Sequence, residues 1–238
     1  MRDYTNTAYE IRDANCDTVI LPIGSIGQHG AHLPIHTDML IANELGKRVA
    51  RELDCDLLPA LPISTCKEHK GKKGSVWMNP DTFYAMIKDI VISLKTGGYK
   101  NICLMPTHGG IFVLGPVIRE LNAWDPDIRV IKLDYGECDI GDLVSCKNDL
   151  HAGEYETALM LYLDEANVHM DKAIDTDPVH PRPFMNYGSI YNIAEGGVWG
   201  HATKATKEQG KQIMDILVKG CAKHFYSAME FFDNKKVF

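Results

Sequence analysis

Several features that would assign the 238-residue chain to a class at once are missing from it. No apolar run approaches the roughly 20 residues that a membrane-spanning helix needs. There is no block of Lys or Arg, and the net charge is −7, which excludes the basic surface that a nucleic-acid partner requires. The seven cysteines, Cys16, Cys55, Cys66, Cys103, Cys138, Cys146 and Cys221, form no CxxC pair. An odd number without that spacing argues against a disulfide framework or a structural zinc knuckle, and for a reducing compartment. The opening residues MRDYTNTAYEIRDANCD are too polar for a secretory signal. Together these absences predict a cytoplasmic protein with neither a membrane nor a nucleic acid as partner.

What is present is ordinary globular composition, 45% hydrophobic and 24% charged. The length suits one domain, residues 1–238, that buries most of its apolar surface. Four short apolar segments read as buried strands running into Gly- or Pro-containing loops: TVILPIG (18–24), DLLPALPIS (56–64), NICLMPTHGG (101–110) and IRVIKLDYG (128–136). Helical patterns lie between and after them. Over 37–53, Ile41, Leu45 and Val49 recur every four residues. Over 79–100, Phe83, Met86, Ile87, Ile90, Val91 and Leu94 make the stripe, with Pro80 in the first turn and Gly97–Gly98 as the stop. Segments 113–124, 153–166 and 204–232 continue the series. Alternating strand and helix predict an α/β layered fold with a mainly parallel sheet. The stretch 167–200, rich in Pro, His, Asn and Gly, reads as a long ordered loop.

In such sheets ligands bind beyond the carboxyl ends of strands, and the chemistry-bearing residues cluster at those places. GSIGQHGAHLPIHTD (24–38) puts His29, His32, His36 and Asp38 in one glycine-containing loop after the first strand. Asp38 alone would be a helix-start carboxylate. With three histidines it suggests a site for Zn²⁺, Mn²⁺ or Fe²⁺ rather than Ca²⁺. THGG (107–110) ends another strand with His108, followed by Gly109 and Gly110, which let backbone approach a ligand. DLHAGEYET (149–157) supplies His151, Glu154 and Glu156. On a continuous helix His151 and Glu154 share a face, and Glu156 points elsewhere unless the helix begins after Gly153. A histidine here could act as general acid or base. STCKEHKGKKGS (64–75) is weaker: Glu68 and His69 are candidates to line the pocket, but Lys67, Lys70, Lys72 and Lys73 suggest a solvated loop.

In their order along the chain these motifs resemble the creatininase (creatinine amidohydrolase) family. GSIGQHGAHLPIHTD is similar to its G-S-x-E-Q-H-G-P-H-L-P-x-x-T-D loop, THGG to N-G-H-G-G-N, DLHAGEYET to H-A-G-x-x-E-T-S, and EHKGKKGSV to E-H-x-x-x-x-G-T. GGVWGHATKATKEQG (196–210) resembles a late family segment as well. The resemblance implies a three-layer α/β/α sandwich, a homo-oligomer, usually a hexamer, and a site for one or two Zn²⁺ or Mn²⁺ ions. It implies that His29 and His108 are ligands, Asp38 bridges, Glu156 is a further ligand, and His151 is the catalytic histidine. His32, Glu154, His69, Gly109 and Gly110 fall to the substrate pocket.

The chain departs from the pattern where the family has a glutamate ligand: Gly27 stands there. His36 is the expected replacement. Thr107, Ile111 and Ala158 are further departures, so the substrate is expected to differ from creatinine. The expected activity is hydrolysis of a small cyclic or linear amide by a metal-activated water, with His151 protonating the leaving group. The alternatives are a carbon–carbon hydrolase opening a cyclic diketone and a non-catalytic member with a binding or assembly role.

Overall fold

The computed structural model describes residues 1–133 and 138–234. Its frame is a five-stranded, wholly parallel sheet of β1 (Arg2–Asp3), β2 (Thr18–Ile23), β3 (Asp56–Leu57), β4 (Asn101–Pro106) and β5 (Arg129–Lys132), in the spatial order β1-β3-β2-β4-β5. Parallel neighbours need crossovers. The helices that make them are α2 (Thr37–Glu52), α3 (Pro80–Thr96) and α4 (Leu114–Trp124); α1 (Ala8–Ala14) comes first, and α5 (Glu154–Asp164) and α6 (Lys207–Asn234) follow. The four anticipated strands are all present, but the second is a continuous strand only over Asp56–Leu57, with a further bridge from Leu61 to Ile23. The fourth ends at Lys132, and positions 134–136 of its expected span lie outside the described residues. A short antiparallel pair, β6 (Asp175–Thr176) with β7 (Gly200–His201), closes the base of the long 167–200 loop.

Side-chain alternation on the strands divides the interior into two layers. Ile20, Leu57, Cys103, Met105 and Ile131 face one way and pack on Ile41, Leu45 and Val49 of α2, Leu159 of α5 and Ile213 and Leu217 of α6. Val19, Leu21, Ile23, Ile102, Leu104 and Val130 face the other way, onto Phe83, Ile87 and Val91 of α3 and Val117 and Leu121 of α4. Both faces of the sheet are therefore covered, which is why its strands read as continuous apolar runs. Pro22 sits in a central strand, where proline is unusual. Its ring is accommodated by Gly46 of α2, whose missing Cβ would lie 2.6 Å from Pro22 Cγ.

α1 begins with a reciprocal cap, in which the Thr7 side chain accepts from the Glu10 backbone and Glu10 accepts from the Thr7 N–H. Among the described residues no helix is long and apolar enough to cross a membrane.

Candidate active site

The carboxyl ends of β2 and β4, the loop after β3 and the start of α5 meet at one point. Beyond β2 the chain turns through Gly24–His36 and enters α2, whose first turn holds Asp38 fully buried. Beyond β4, the Thr107 hydroxyl donates to the Asp38 carbonyl at 2.8 Å, tying strand end to helix start and setting His108 beside the Asp38 carboxylate. His151 is fixed from the other side by backbone pairing with Trp199, at 3.1 Å and 2.8 Å.

Asp38 lies at the centre. Its Oδ1 is 3.4 Å from His29 Nε2 and its Oδ2 is 3.0 Å from His108 Nδ1. Glu156 Oε2 is 3.7 Å from His29 Nε2 and 3.9 Å from His151 Nδ1. Beyond His108, its Nε2 faces Glu68 Oε1 at 2.9 Å. The donor atoms thus fall into two groups that could each hold a cation: His29, His151 and Glu156, and Glu68, His69 and His108. Asp38 lies between them, with one oxygen toward each side. A test of fit is whether these buried atoms are satisfied without an ion. At the centre they are not: His29 Nε2 and both Asp38 oxygens have no properly directed hydrogen bond. Buried polar atoms left so cost free energy, and a cation among them would remove that cost.

The electrostatics follow from the carboxylates. Burial depresses the His29 imidazole, but Asp38 and Glu156 outweigh it and hold its pKa up at about 9. His108 is likewise opposed by burial and driven well above the usual histidine range by Asp38 and Glu68. Burial works against the Asp38 anion, and the two imidazoles overcome it. Burial, opposed by His29, lifts Glu156 to about 7. His69 and His151 go the other way. Burial, with His108 nearby, pushes His69 down to about 4, and burial with His29 and His69 keeps His151 well below the usual range.

Gln28 is a site residue that the motif reading did not single out. Its side-chain nitrogen lies 3.1 Å from the Gly197 carbonyl, 3.2 Å from His69 Nδ1 and 3.1 Å from His151 Nε2. Its side-chain oxygen accepts from the Gly30 N–H at 2.9 Å, and its backbone carbonyl lies 2.8 Å from His151 Nε2. The signal that could have revealed it is an amide side chain immediately before a ligand-type histidine. The loop after β3 combines both features its sequence suggested, a solvated lysine face and a pocket edge. Its lysines at 67, 70, 72 and 73 do face outward, yet His69 is 1% exposed and both Glu68 and His69 line the cleft.

Five other expected site residues lie outside the two donor groups. His36 stands at the entry to α2 with its ring toward Asp164 of α5, 3.6 Å away and partly exposed, and belongs to neither donor group. That corrects its expected ligand role: it precedes the first helical turn, so its side chain leaves on the outer face while Asp38 enters the interior. Glu154 is also corrected. α5 begins after Gly153, so residues 154 and 156 project about 200° apart. Glu154 accepts from the Ser145 N–H and hydroxyl and from Gln209, away from the cleft. His32 is buried with its Nε2 3.0 Å from the Thr157 hydroxyl, and it supports the loop from behind without lining the cleft. Gly109 and Gly110 do line it, and a Cβ on Gly110 would stand 2.2 Å from Glu68 Oε1.

The space among these side chains is small, about 30 Å³, and is lined also by Leu150, Arg182, Met185 and Ile190. Leu150 and Arg182 are shared with a neighbouring cleft of about 480 Å³ that reaches Asn148, Pro178, His180 and Trp199. An ion or a water fits the first space and a larger group the second.

Comparison with known proteins gives a consistent picture. The chain is 27% identical to creatinine amidohydrolase of Pseudomonas putida over 90% of its length and 91% of that protein's. It is 27% identical to mycofactocin precursor peptide peptidase of Mycolicibacterium smegmatis, covering 86% of this chain and 82% of the other. It is 24% identical to 3-dehydro-scyllo-inosose hydrolase of Thermotoga maritima, covering 98% and 85%. Two solved creatininases, a mutant described as Zn–Zn type and one described as Mn, superpose with TM-scores of 0.79 and 0.77 at 23% and 22% identity, each covering 97% of this chain and 98% of the other; they establish the shared α/β fold. The family model described as creatininase, creatinine amidohydrolase, matches residues 2–225. On that match over nearly its whole length, the chain belongs to the creatininase family.

Proposed function

We propose that this creatininase-family enzyme is a metal-dependent hydrolase that cleaves the C–N bond of a small cyclic or linear amide. The observation that carries the reading is the buried Asp38 carboxylate, with one oxygen toward His29 and the other toward His108, in a cluster where His29 Nε2 and both Asp38 oxygens have no properly directed hydrogen bond. His29, Asp38 and Glu156 would hold one Zn²⁺ or Mn²⁺, and Asp38 with His108, whose far nitrogen is oriented by Glu68, offers a second position. When bound, such an ion supplies Lewis acidity, polarising a carbonyl and lowering the pKa of a water from about 15.7 to about 7.

The chain's own groups do the rest. His29 Nδ1 donates to the Gly27 carbonyl at 3.0 Å, so Nε2, facing Asp38 and Glu156, is the atom an ion would take once its proton is displaced. That is the arrangement of a metal-binding imidazole oriented by a backbone acceptor. His151 Nε2 lies 2.8 Å from the Gln28 carbonyl, an acceptor only, so Nε2 carries the proton and Nδ1 is bare toward the cluster. A neutral imidazole with that tautomer takes a proton from the attacking water and returns it to the departing nitrogen. Arg182, whose guanidinium donates to the Gly109 carbonyl at 3.2 Å, stands at the mouth between the two clefts and favours a substrate with an acceptor or anionic group there.

A second reading has its own support. The Thermotoga relative, aligned over 98% of this chain, is named for hydrolysis of a keto-inositol compound, so a carbon–carbon hydrolase acting on a cyclic diketone needs only the same polarised carbonyl. The deciding experiment is a panel of creatinine-like lactams, formamides, short peptides and diketo-cyclitols, offered to zinc- or manganese-loaded and chelator-stripped protein. Turnover of an amide that is lost on stripping and restored by the ion supports the first reading. Turnover of the diketo-cyclitol alone supports the second. A protein that retains less than a tenth of an equivalent of metal after loading is neither.

A further inference from the structure

His69 has an unusual position for a histidine so deeply placed. It is 1% exposed and lines the cleft, its Nε2 has no hydrogen-bond partner, and the nearest carboxylate oxygen on that side, Glu68 Oε1, is 4.0 Å away. Its ring centroid lies 4.7 Å from that of His151, 5.9 Å from that of His108 and 6.4 Å from that of His29, so the free nitrogen belongs to the same small space as the other three rings.

Which atom that nitrogen carries is decided by Gln28. The Gly30 backbone N–H can only donate and reaches the Gln28 side-chain oxygen, which fixes the amide's orientation. The amide nitrogen then has two hydrogens to place. One goes to the Gly197 carbonyl at 3.1 Å. His151 Nε2 cannot take the other, because it is itself protonated toward the Gln28 backbone carbonyl. The remaining acceptor is His69 Nδ1 at 3.2 Å. A neutral imidazole that accepts at Nδ1 carries its proton at Nε2, so His69 presents an N–H to the cleft, whereas His151 presents a lone pair.

Two glycines make room for this. A Cβ on Gly27 would lie 3.2 Å from His69 Cδ2, so any side chain at 27 would press on the ring by a few tenths of an ångström. Gly197, at φ +71°, leaves the Gln28 amide its place: a Cβ there would come within 2.8 Å of the amide nitrogen.

We propose that His69 donates its Nε2–H to the oxygen anion formed when the substrate carbonyl is attacked, positioned by Gln28 and admitted by the missing side chain at Gly27. The proposal rests on the hydrolase reading above. As the water oxygen bonds to the carbonyl carbon, the C=O π pair moves onto the carbonyl oxygen, and the developing negative charge accepts the hydrogen bond. No proton leaves His69. When the C–N bond breaks, the pair returns to the carbonyl, and the nitrogen takes the proton held at His151. An N–H held in place before the reaction contributes more than one recruited from water.

The test uses zinc-loaded protein labelled with ¹⁵N-histidine. Long-range ¹H–¹⁵N spectra should show His69 protonated at Nε2 and bare at Nδ1, and Gln28→Glu, which turns the donor into an acceptor, should move the proton to Nδ1. A zinc-bound Nε2, or a proton on Nδ1 in the unaltered protein, overturns the assignment. On the panel compound that is turned over, His69→Ala should lower kcat by about 10²–10³-fold with little change in KM. His69→Gln, whose amide N–H reaches the Nε2 position, should recover at least about tenfold of that loss, within the range one such donor is worth. Zinc content should be equal in all three. Loss of zinc from His69→Ala would make it a ligand, and equal kcat in all three would make it a packing residue; either result ends the proposal. A zinc-loaded protein that hydrolyses no panel compound ends it too, but through the hydrolase reading and not through the tautomer.

Discussion

Four imidazoles meet in one cleft, and they divide into two pairs by what stands behind them. His29 and His108 face carboxylates, with Asp38 between them, Glu156 beside one and Glu68 beside the other. His69 and His151 face a single glutamine. The first pair is driven to hold protons and the second to lose them. All four are buried, so burial alone cannot explain the division. The local partners decide it: anions make an imidazole a cation or a metal ligand, whereas an amide and a carbonyl leave it neutral and choose its tautomer.

The comparison breaks most completely at Asp38. Asp38→Asn removes the charge that both imidazoles of the first pair share. Uncoupling one partner of a buried charge cluster costs about 3–5 kcal/mol, so ion affinity should fall on the order of 10²–10⁴-fold. Metal-to-protein ratio after loading and gel filtration reads it directly, and undiminished binding would show that the anion does not organise the pair.

Acid should act next most strongly. His29 holds its proton up to about pH 9, so an ion must displace that proton at every pH below it. Each unit of acidification then costs about tenfold from His29 alone, and Glu156, lifted to about 7, adds a second proton in the acid part of the range, so affinity at pH 6 should be lower than at pH 8 by more than about 10²-fold. The sign is fixed: affinity rises with pH and levels off near 9. A competition titration against a chromophoric chelator at several pH values gives the slope, and a flat line between pH 6 and 8 would contradict the description of the first pair.

Glu68→Gln sharpens the comparison. Glu68 stands behind His108 as the carboxylate that orients an imidazole, and loss of such a partner costs about 10–100-fold in metal affinity. An effect as large as that of Asp38→Asn would instead make Glu68 an indispensable ligand. The smallest effect should come from His36→Ala. Its contact with Asp164 is partly exposed, and such pairs contribute about 0–1 kcal/mol. Metal content should be unchanged and the urea midpoint shifted little, whereas a fall in bound metal would return His36 to the site.

The backbone plan was largely legible. Ile41, Leu45 and Val49 are all buried on the sheet, as their spacing requires, and α3 starts at Pro80 and ends before Gly97–Gly98. α1 carried its own signal in Thr7 and Glu10, three residues apart, but its helix buries nothing, so no apolar stripe announced it. Of the site, His29, Asp38, His108, His151 and Glu156 stand together because each ends or begins an element at the same edge of the sheet. His36 and Glu154 were misread for one reason. Near a helix start, a shift of one or two residues rotates a side chain from the interior to the surface, and motif spacing does not fix that rotation.

Taken alone, the sequence determined the layered α/β frame, the edge where the chemistry gathers and most of the side chains that gather there. Those follow from hydrophobic period and from residues adjacent to strand ends, which are local properties of the chain. Only the tertiary structure decided that His69 fills the space beside Gly27, that Glu68 reaches His108 and that one glutamine faces two imidazoles. These contacts join segments about 40 to 120 residues apart, where direction and distance come from how the layers pack, and no sequence period encodes them.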